Sequence, residues 1–336
     1  MSNIGEVSVT SERDAAARRR DIIPEDHSFA LCLTHDVDRP YKTYQSPYYA
    51  VRDRSLAQLG DMVFGRNPYW SFDRIRSIEE GLDVRSAFYF LDEESLFTDR
   101  PRRELLDPEA WSLYSGRYDI NDPKIVELIR ELDDGGWEVG LHGSYNSFRD
   151  REQLREQQQQ LESILGRRVT GGRQHHLNLV IPETWEHHAA IGLRYDASLG
   201  SATEYGFNHG YGLHRPFDDE FVVFPLTAME ISLPIDGDPD RAWEAIEGLF
   251  AEARESAAVM SVLWHPRFFC SDTPNHAPIY RRLIERALEL NAWVGPPRAL
   301  YEQLDHPDRS SRTAPLQPER GAESSETNGR YTSDRC

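Results

Sequence analysis

Between residues 27 and 304, short apolar runs rich in β-branched and aromatic side chains alternate with amphipathic helical segments. Such an alternation restricts a chain to a parallel sheet or barrel wrapped in helices. Phe29 to Leu33 is the first run and leads into Thr34-His35-Asp36-Val37-Asp38. The second is Val84 to Phe90. A helix is predicted over 123–134, with Asp122 as N-cap, Pro123 at the first position, Ile125, Leu128, Ile129 and Leu132 on one face, and Gly135 as stop. Glu138 to Leu141 makes a third strand, ending at His142. Leu154, Leu161, Ile164 and Leu165 keep a helical stripe through the glutamine-rich stretch 149–165, closed by Gly166. A fourth strand, Arg168 to Gly171, runs into Gly172-Arg173-Gln174-His175-His176, and a helix starting near Pro182 leads to a fifth, ending at Tyr195-Asp196-Ala197-Ser198. Phe221 to Phe224 and Met229 to Ile235 supply one or two more. Asp238-Pro239 opens a helix carrying Ala242, Trp243, Ile246, Leu249 and Phe250 inward. Val259 to Leu263 is the last clear strand and ends at Trp264-His265-Pro266, before a helix bearing Ile279, Leu283, Ala287 and Leu288.

The polar ends, 1–26 and 305–336, read as tails around a single domain at 27–304. A net charge of -19 repels phosphate backbones and anionic lipid heads, which argues against a nucleic-acid partner. Lys42 and Lys124 are the only lysines, and an acidic, arginine-biased composition suggests a salt-adapted, halophilic source. Cys32, Cys270 and Cys336 lack the paired spacing of a disulfide framework or zinc knuckle. With no run of about twenty apolar residues and no complete export signal, the expectation is a cytoplasmic protein without membrane insertion.

Position is the informative property of the reactive side chains. Asp36, Asp38, His142, Arg173, His175, Asp196 and His265 all fall at or just after the carboxyl ends of predicted parallel strands, which share one rim in a barrel. The alternate spacing of Asp36 and Asp38 points both carboxylates to one side of an extended chain, so that one can hold a metal while the other takes a proton. Capping a turn is the ordinary alternative for two such acids. Burying two like charges is costly, however, and a cation is the simplest remedy. A neutral His142 imidazole could ligate a divalent ion. On a strand His175 and His176 point to opposite faces, and His175 is favoured for the site because Arg173 shares its face. His265, between Trp264 and Pro266, is suited to donate a proton to a leaving group, with Asp196 able to orient it; a core histidine satisfied by a backbone carbonyl is the alternative.

In this order the residues resemble the motifs of the polysaccharide deacetylase family, the carbohydrate esterase and chitooligosaccharide deacetylase homology group, over roughly residues 29 to 300. The resemblance implies a distorted (β/α)7 barrel and metal-assisted removal of an acyl group, N-acetyl in the simplest case, from a carbohydrate or glycan precursor. It implies Asp36 as general base, Asp38 as metal ligand, and Arg173 as the residue steadying the base through a charge-assisted hydrogen bond. Asp196 and His265 match the orienting acid and the general acid. Leu141-His142-Gly143-Ser144-Tyr145-Asn146 departs from the pattern, because Asn146 stands where a second histidine normally completes the metal site. Either Asn146 ligates more weakly through its amide oxygen, or His175 completes the set. The implied ion is zinc, with manganese, cobalt or nickel as alternatives.

Two other readings stay open. A barrel glycosidase needs two carboxyl groups about 5 to 9.5 Å apart across a sugar bond, for which Asp36 with Asp196 or Glu230 is a candidate pair. A degenerate deacetylase fold that only binds a glycan or partner accounts for Asn146 directly. Tyr41, Tyr44, Tyr48, Tyr49, Trp70, Trp111, Tyr114 and Tyr118 in the connections 39–70 and 92–121 could hold sugar rings, although packing is the ordinary use of such residues.

Overall fold

The structure, a computed structural model, describes residues 22–24, 26–42, 67–114, 117–217 and 220–304. Of the expected tails 1–26 and 305–336, residues 1–21, 25 and 305–336 lie outside the described residues, as do Tyr44, Tyr48 and Tyr49. Ile23, placed in the N-terminal tail by its polar surroundings, is buried in the core.

Nine strands form one sheet: β1 Phe29–Val37, β2 Ala87–Leu91, β3 Glu138–Gly143, β4 Gly171–Gln174, β5 Tyr195–Asp196, β6 Val222–Val223, β7 Ala228–Met229, β8 Val259–Leu263 and β9 Ala292–Gly295. Around them lie α1 Phe72–Glu80, α2 Pro108–Tyr114, α3 Pro123–Asp134, α4 Arg151–Leu165, α5 Glu183–Ile191, α6 Pro239–Ser256, α7 His276–Glu289 and α8 Pro297–Tyr301. Every strand pairing is parallel, in the order β6-β5-β4-β3-β2-β1-β8-β7, with β9 added beside β1. The path curls into a distorted (β/α)7 barrel. Burial on both faces explains why β1 and β8 read as continuous apolar runs rather than alternating ones.

Helix boundaries follow their caps. Asp122 accepts from Lys124 N at the start of α3, and Asp150 from Glu152 N and Gln153 N at the start of α4. Strand β4 begins later than expected, at Gly171 rather than Arg168. Arg167 is drawn to Asp133 on α3, and Val169 N donates to Glu162 of α4, so the chain joins the sheet only where Gly172 aligns with Leu141. The run expected from Met229 to Ile235 contributes only Met229, joined with Ala228 in β7, before a helical turn at Glu230–Ser232.

The barrel interior pairs large rings with glycines. Tyr89 covers Gly140 and Tyr195 covers Gly171; a Cβ at these glycines meets the rings at 2.5 and 2.2 Å. Tyr195 cannot swing away freely, since its hydroxyl donates to Glu138 Oε1 (2.5 Å) and lies 3.0 Å from the Tyr89 hydroxyl. Gly171→Ala is therefore expected to destabilise the fold by about 1–3 kcal/mol, the usual cost of overpacking. Urea unfolding checks this, and an unchanged midpoint contradicts it.

Alternation along β1 separates two jobs. His35, fully buried, faces the helices, where its Nδ1 donates to the Trp264 carbonyl and its Nε2 lies 3.1 Å from Glu79 of α1 and from Tyr280 of α7. Trp137 and Tyr280 also donate to Glu79, closing a structural network. Thr34 and Asp36 point the other way, towards Arg173.

Candidate active site

The carboxyl ends of the strands carry a cluster of buried charge. Arg173, on β4 and 1% exposed, donates from Nη1 to Asp36 Oδ1 (2.8 Å) and to Thr34 Oγ1 (2.9 Å), and from Nε to the Ala197 carbonyl (2.7 Å). Its guanidinium lies over the Tyr89 ring. Burial pushes the Asp36 carboxyl up, but the combined fields of Arg173, His142 and His265 outweigh it and hold the group below the usual carboxylate range. Asp36 is thus ionised and fixed in direction, as a proton acceptor must be.

His265, at the end of β8, donates from Nδ1 to Glu230 Oε1 at 2.6 Å. Glu230 is fully buried and directly follows β7. The orienting acid expected from the sequence, Asp196, is engaged elsewhere: it accepts from Ser198 N (2.9 Å), Ser198 Oγ (2.5 Å) and Trp185 Nε1 (3.1 Å), and lies 3.2 Å from His188. Asp196 ends β5 and Glu230 follows β7, and β7 is the strand beside β8. Glu230 is the partner within reach.

Asp38 lies among arginines. Arg267 donates to its Oδ1 at 2.6 Å, Arg117 stands 4.0 Å from its Oδ2 and donates to its backbone carbonyl, and the field of Arg39 adds to theirs. Burial opposes ionisation of Asp38, yet Arg267 and its neighbours hold the carboxyl well below its ordinary value.

The histidines form a chain whose protons can be assigned. Arg117 Nη2 donates to His175 Nε2 (2.9 Å), so the His175 proton sits on Nδ1, which donates to His142 Nε2 (3.1 Å). His142 Nδ1 in turn donates to the Arg173 carbonyl (2.9 Å). His175 is buried as expected, although on a short helical turn rather than a strand, while His176 beside it is exposed.

No protein-family model and no curated protein matches the sequence. Solved structures do. A Mycobacterium smegmatis protein assigned to the polysaccharide deacetylases superposes with a TM-score of 0.55 at 19% identity, covering 89% of this chain and 96% of that one. A Pseudomonas aeruginosa PAO1 protein with the same assignment gives 0.56 at 15% identity, covering 84% and 93%. Puue allantoinase gives 0.54 at 15%, covering 84% and 92%. The chain has the polysaccharide deacetylase fold.

Within this deacetylase fold the four expected metal donors do not gather into one cation site. No group of three or more His, Cys, Asp or Glu side chains suited to a metal occurs among the described residues. Asn146 is exposed and its amide donates to the Tyr114 hydroxyl (2.8 Å). Asp38 Oδ1 is taken by Arg267. On His175 a proton occupies the Nδ1 that faces His142, and moving it to Nε2 would set two donors against each other at Arg117. His142 Nε2 accepts that His175 proton and stands 3.7 Å from Asp36. The residues present do not fit a divalent ion.

Sequence reading missed Arg117, Arg267 and Glu93, and named Glu230 only for the glycosidase alternative. Glu93 follows β2, accepts from Tyr145 N (2.8 Å), and is pushed up to about 7 by burial. Of the expected aromatic contacts, Tyr118 is structural, since its hydroxyl donates to the Val37 carbonyl and accepts from Leu91 N. Tyr41 and Trp70 pack on each other, whereas Trp111 is exposed beside Phe97.

The buried imidazole of His175 carries a pH signature. Burial, reinforced by Arg117 and His176, holds it well below the ordinary histidine value. The unfolded chain takes up this proton near pH 6.5 and the folded chain only at lower pH, so the contribution is full above about 6.5 and is lost as pH falls. His175→Gln removes the site while leaving an oxygen for Arg117 and an N–H for His142. Between pH 7 and 5 the wild type should lose up to about 2 kcal/mol more stability than this variant. Equal losses in urea unfolding at the two pH values contradict the assignment.

Proposed function

We propose that the chain is a hydrolase of carbon–nitrogen bonds that removes an acyl group, N-acetyl in the simplest case, from a carbohydrate or glycan precursor. One observation carries this reading: an ionised carboxylate and a directed imidazole, Asp36 and His265, stand on the same rim, each held by a buried partner of its own, Arg173 and Glu230. They are close enough for His265 to add to the field that ionises Asp36.

Asp36 removes a proton from water as the water oxygen bonds to the acyl carbon. Charge then develops on the former carbonyl oxygen, where the guanidinium-rich face around Asp38 is electrostatically suited to hold it. As the carbon–nitrogen bond breaks, protonated His265 gives its Nε2 proton to the departing nitrogen, with Nδ1 anchored on Glu230. The products are a carboxylic acid and a free amine. Aromatic Trp111, exposed near the Tyr114–Asn146 contact, offers a flat face to a sugar ring.

The engagement of Glu230 with His265 weighs against the glycosidase alternative, because a carboxylate hydrogen-bonded to an imidazole is a poor candidate for flanking a sugar bond. Acetate release from N-acetylated chito-oligosaccharides and N-acetyl sugars tests the proposal. His265→Ala should lower the rate about 10²–10⁴-fold, the usual contribution of a positioned proton donor. Release of reducing ends without acetate would favour a glycosidase.

A further inference from the structure

We infer that this centre dispenses with a divalent metal, and that Arg117 and Arg267 occupy the electrostatic place such an ion would take. This rests on the site reading above for its location, but not on the identity of the substrate. Two carboxylates side by side at the end of β1 require positive charge, and the chain itself provides it. Arg267 bonds Asp38 directly, and Arg117 bridges the Asp38 carbonyl and His175. Arg173 neutralises Asp36. Asp36 and Asp38 are met by four guanidinium groups, Arg173 for the first and Arg267, Arg39 and Arg117 for the second. A divalent ion added to such a cluster has no uncompensated negative charge to attract it.

The local chemistry agrees with the charge count. Arg117 fixes the His175 tautomer that points N–H, not a lone pair, towards His142. Arg267 withdraws one oxygen of Asp38. The position four residues after His142 is filled by Asn146, whose amide is turned to Tyr114. Three separate features each engage one expected ligand, so loss of a single ligand is an insufficient description. The same guanidinium groups are fixed donors around Asp38, two residues beyond the general base, and they can take up the charge that a metal would otherwise stabilise on the carbonyl oxygen.

Equilibrium dialysis of the full chain against Co2+, read also by the visible absorption of the bound ion, tests this without any enzymatic assay. Wild type should take up no stoichiometric Co2+, and the same should hold for Zn2+ by elemental analysis. Arg117→Gln combined with Arg267→Gln frees Asp38, His142 and His175 and should raise Co2+ affinity at least about tenfold. Near-ultraviolet circular dichroism establishes that this variant is folded, and the single Arg267→Gln variant supplies the comparison if it is not. Uptake of one equivalent by wild type, lost in Asp38→Ala and His142→Ala, overturns the inference. So does a folded double variant whose affinity is no higher than that of wild type. Neither outcome depends on whether acetate is released, so a failure of the hydrolase reading remains distinguishable.

Discussion

Asp36→Asn should lower the rate of acyl hydrolysis about 10²–10⁴-fold while leaving the chain folded. The asparagine Oδ1 can still accept from Arg173 Nη1, so the geometry of β1 and β4 is kept and only the capacity to take a proton is lost. In the wild type the carboxyl is ionised at neutral pH, because the charges around it outweigh the cost of burial. A rate within threefold of wild type removes Asp36 from the role of general base.

Arg173→Met should lower folding stability by about 3–5 kcal/mol, the cost of leaving a buried charge without its partner. Asp36 is 3% exposed and its first counter-charge is this guanidinium, which also holds Thr34 Oγ1 and the Ala197 carbonyl. The double variant Asp36→Asn, Arg173→Met should cost clearly less than the sum of the two single changes, since it no longer buries an unpaired carboxylate. Additive losses in urea unfolding would mean that the pair is not coupled. The acid limb of the Arg173→Met rate profile should also move to higher pH, because removing a positive neighbour raises the carboxyl.

The barrel was legible because its strands are buried on both faces and therefore stand out as apolar runs between periodic helices. Strand β4 was the weak point. Its segment Gly171-Gly172-Arg173-Gln174 has neither β-branched residues nor apolar character, and its glycines are there to admit Tyr195 and the Leu141 backbone, a demand of distant residues that local sequence does not display. Glu230 was passed over as orienting acid for a related reason: the run Met229 to Ile235 reads as one strand, which puts Glu230 inside it, whereas β7 stops at Met229 and a helical turn begins. Asp196 closes β5, but its side chain answers to Ser198, Trp185 and His188.

The arginines explain why a metal was expected. Asp36 and Asp38 demand a cation, and from sequence a metal is the economical one. Arg117 reaches Asp38 from the loop after α2, with no local pattern to mark it. Arg39 and Arg267, one residue beyond Asp38 and two beyond His265, were the available clue, because basic residues at two strand ends of a rim can converge just as acidic ones do. Asn146 in place of a second histidine fits the same account, as a position relieved of ligation and turned to Tyr114.

The most direct test compares wild type with Asp36→Asn and His265→Ala in chelator-treated, metal-free buffer, measuring acetate and free amine released from N-acetylated chito-oligosaccharides. The account predicts acetate and amine in equal amounts from the wild type, unchanged by the chelator, with both variants slowed about a hundredfold or more. Hydrolysis that stops on chelation and returns with added Zn2+, or a rate that both variants retain, would contradict it.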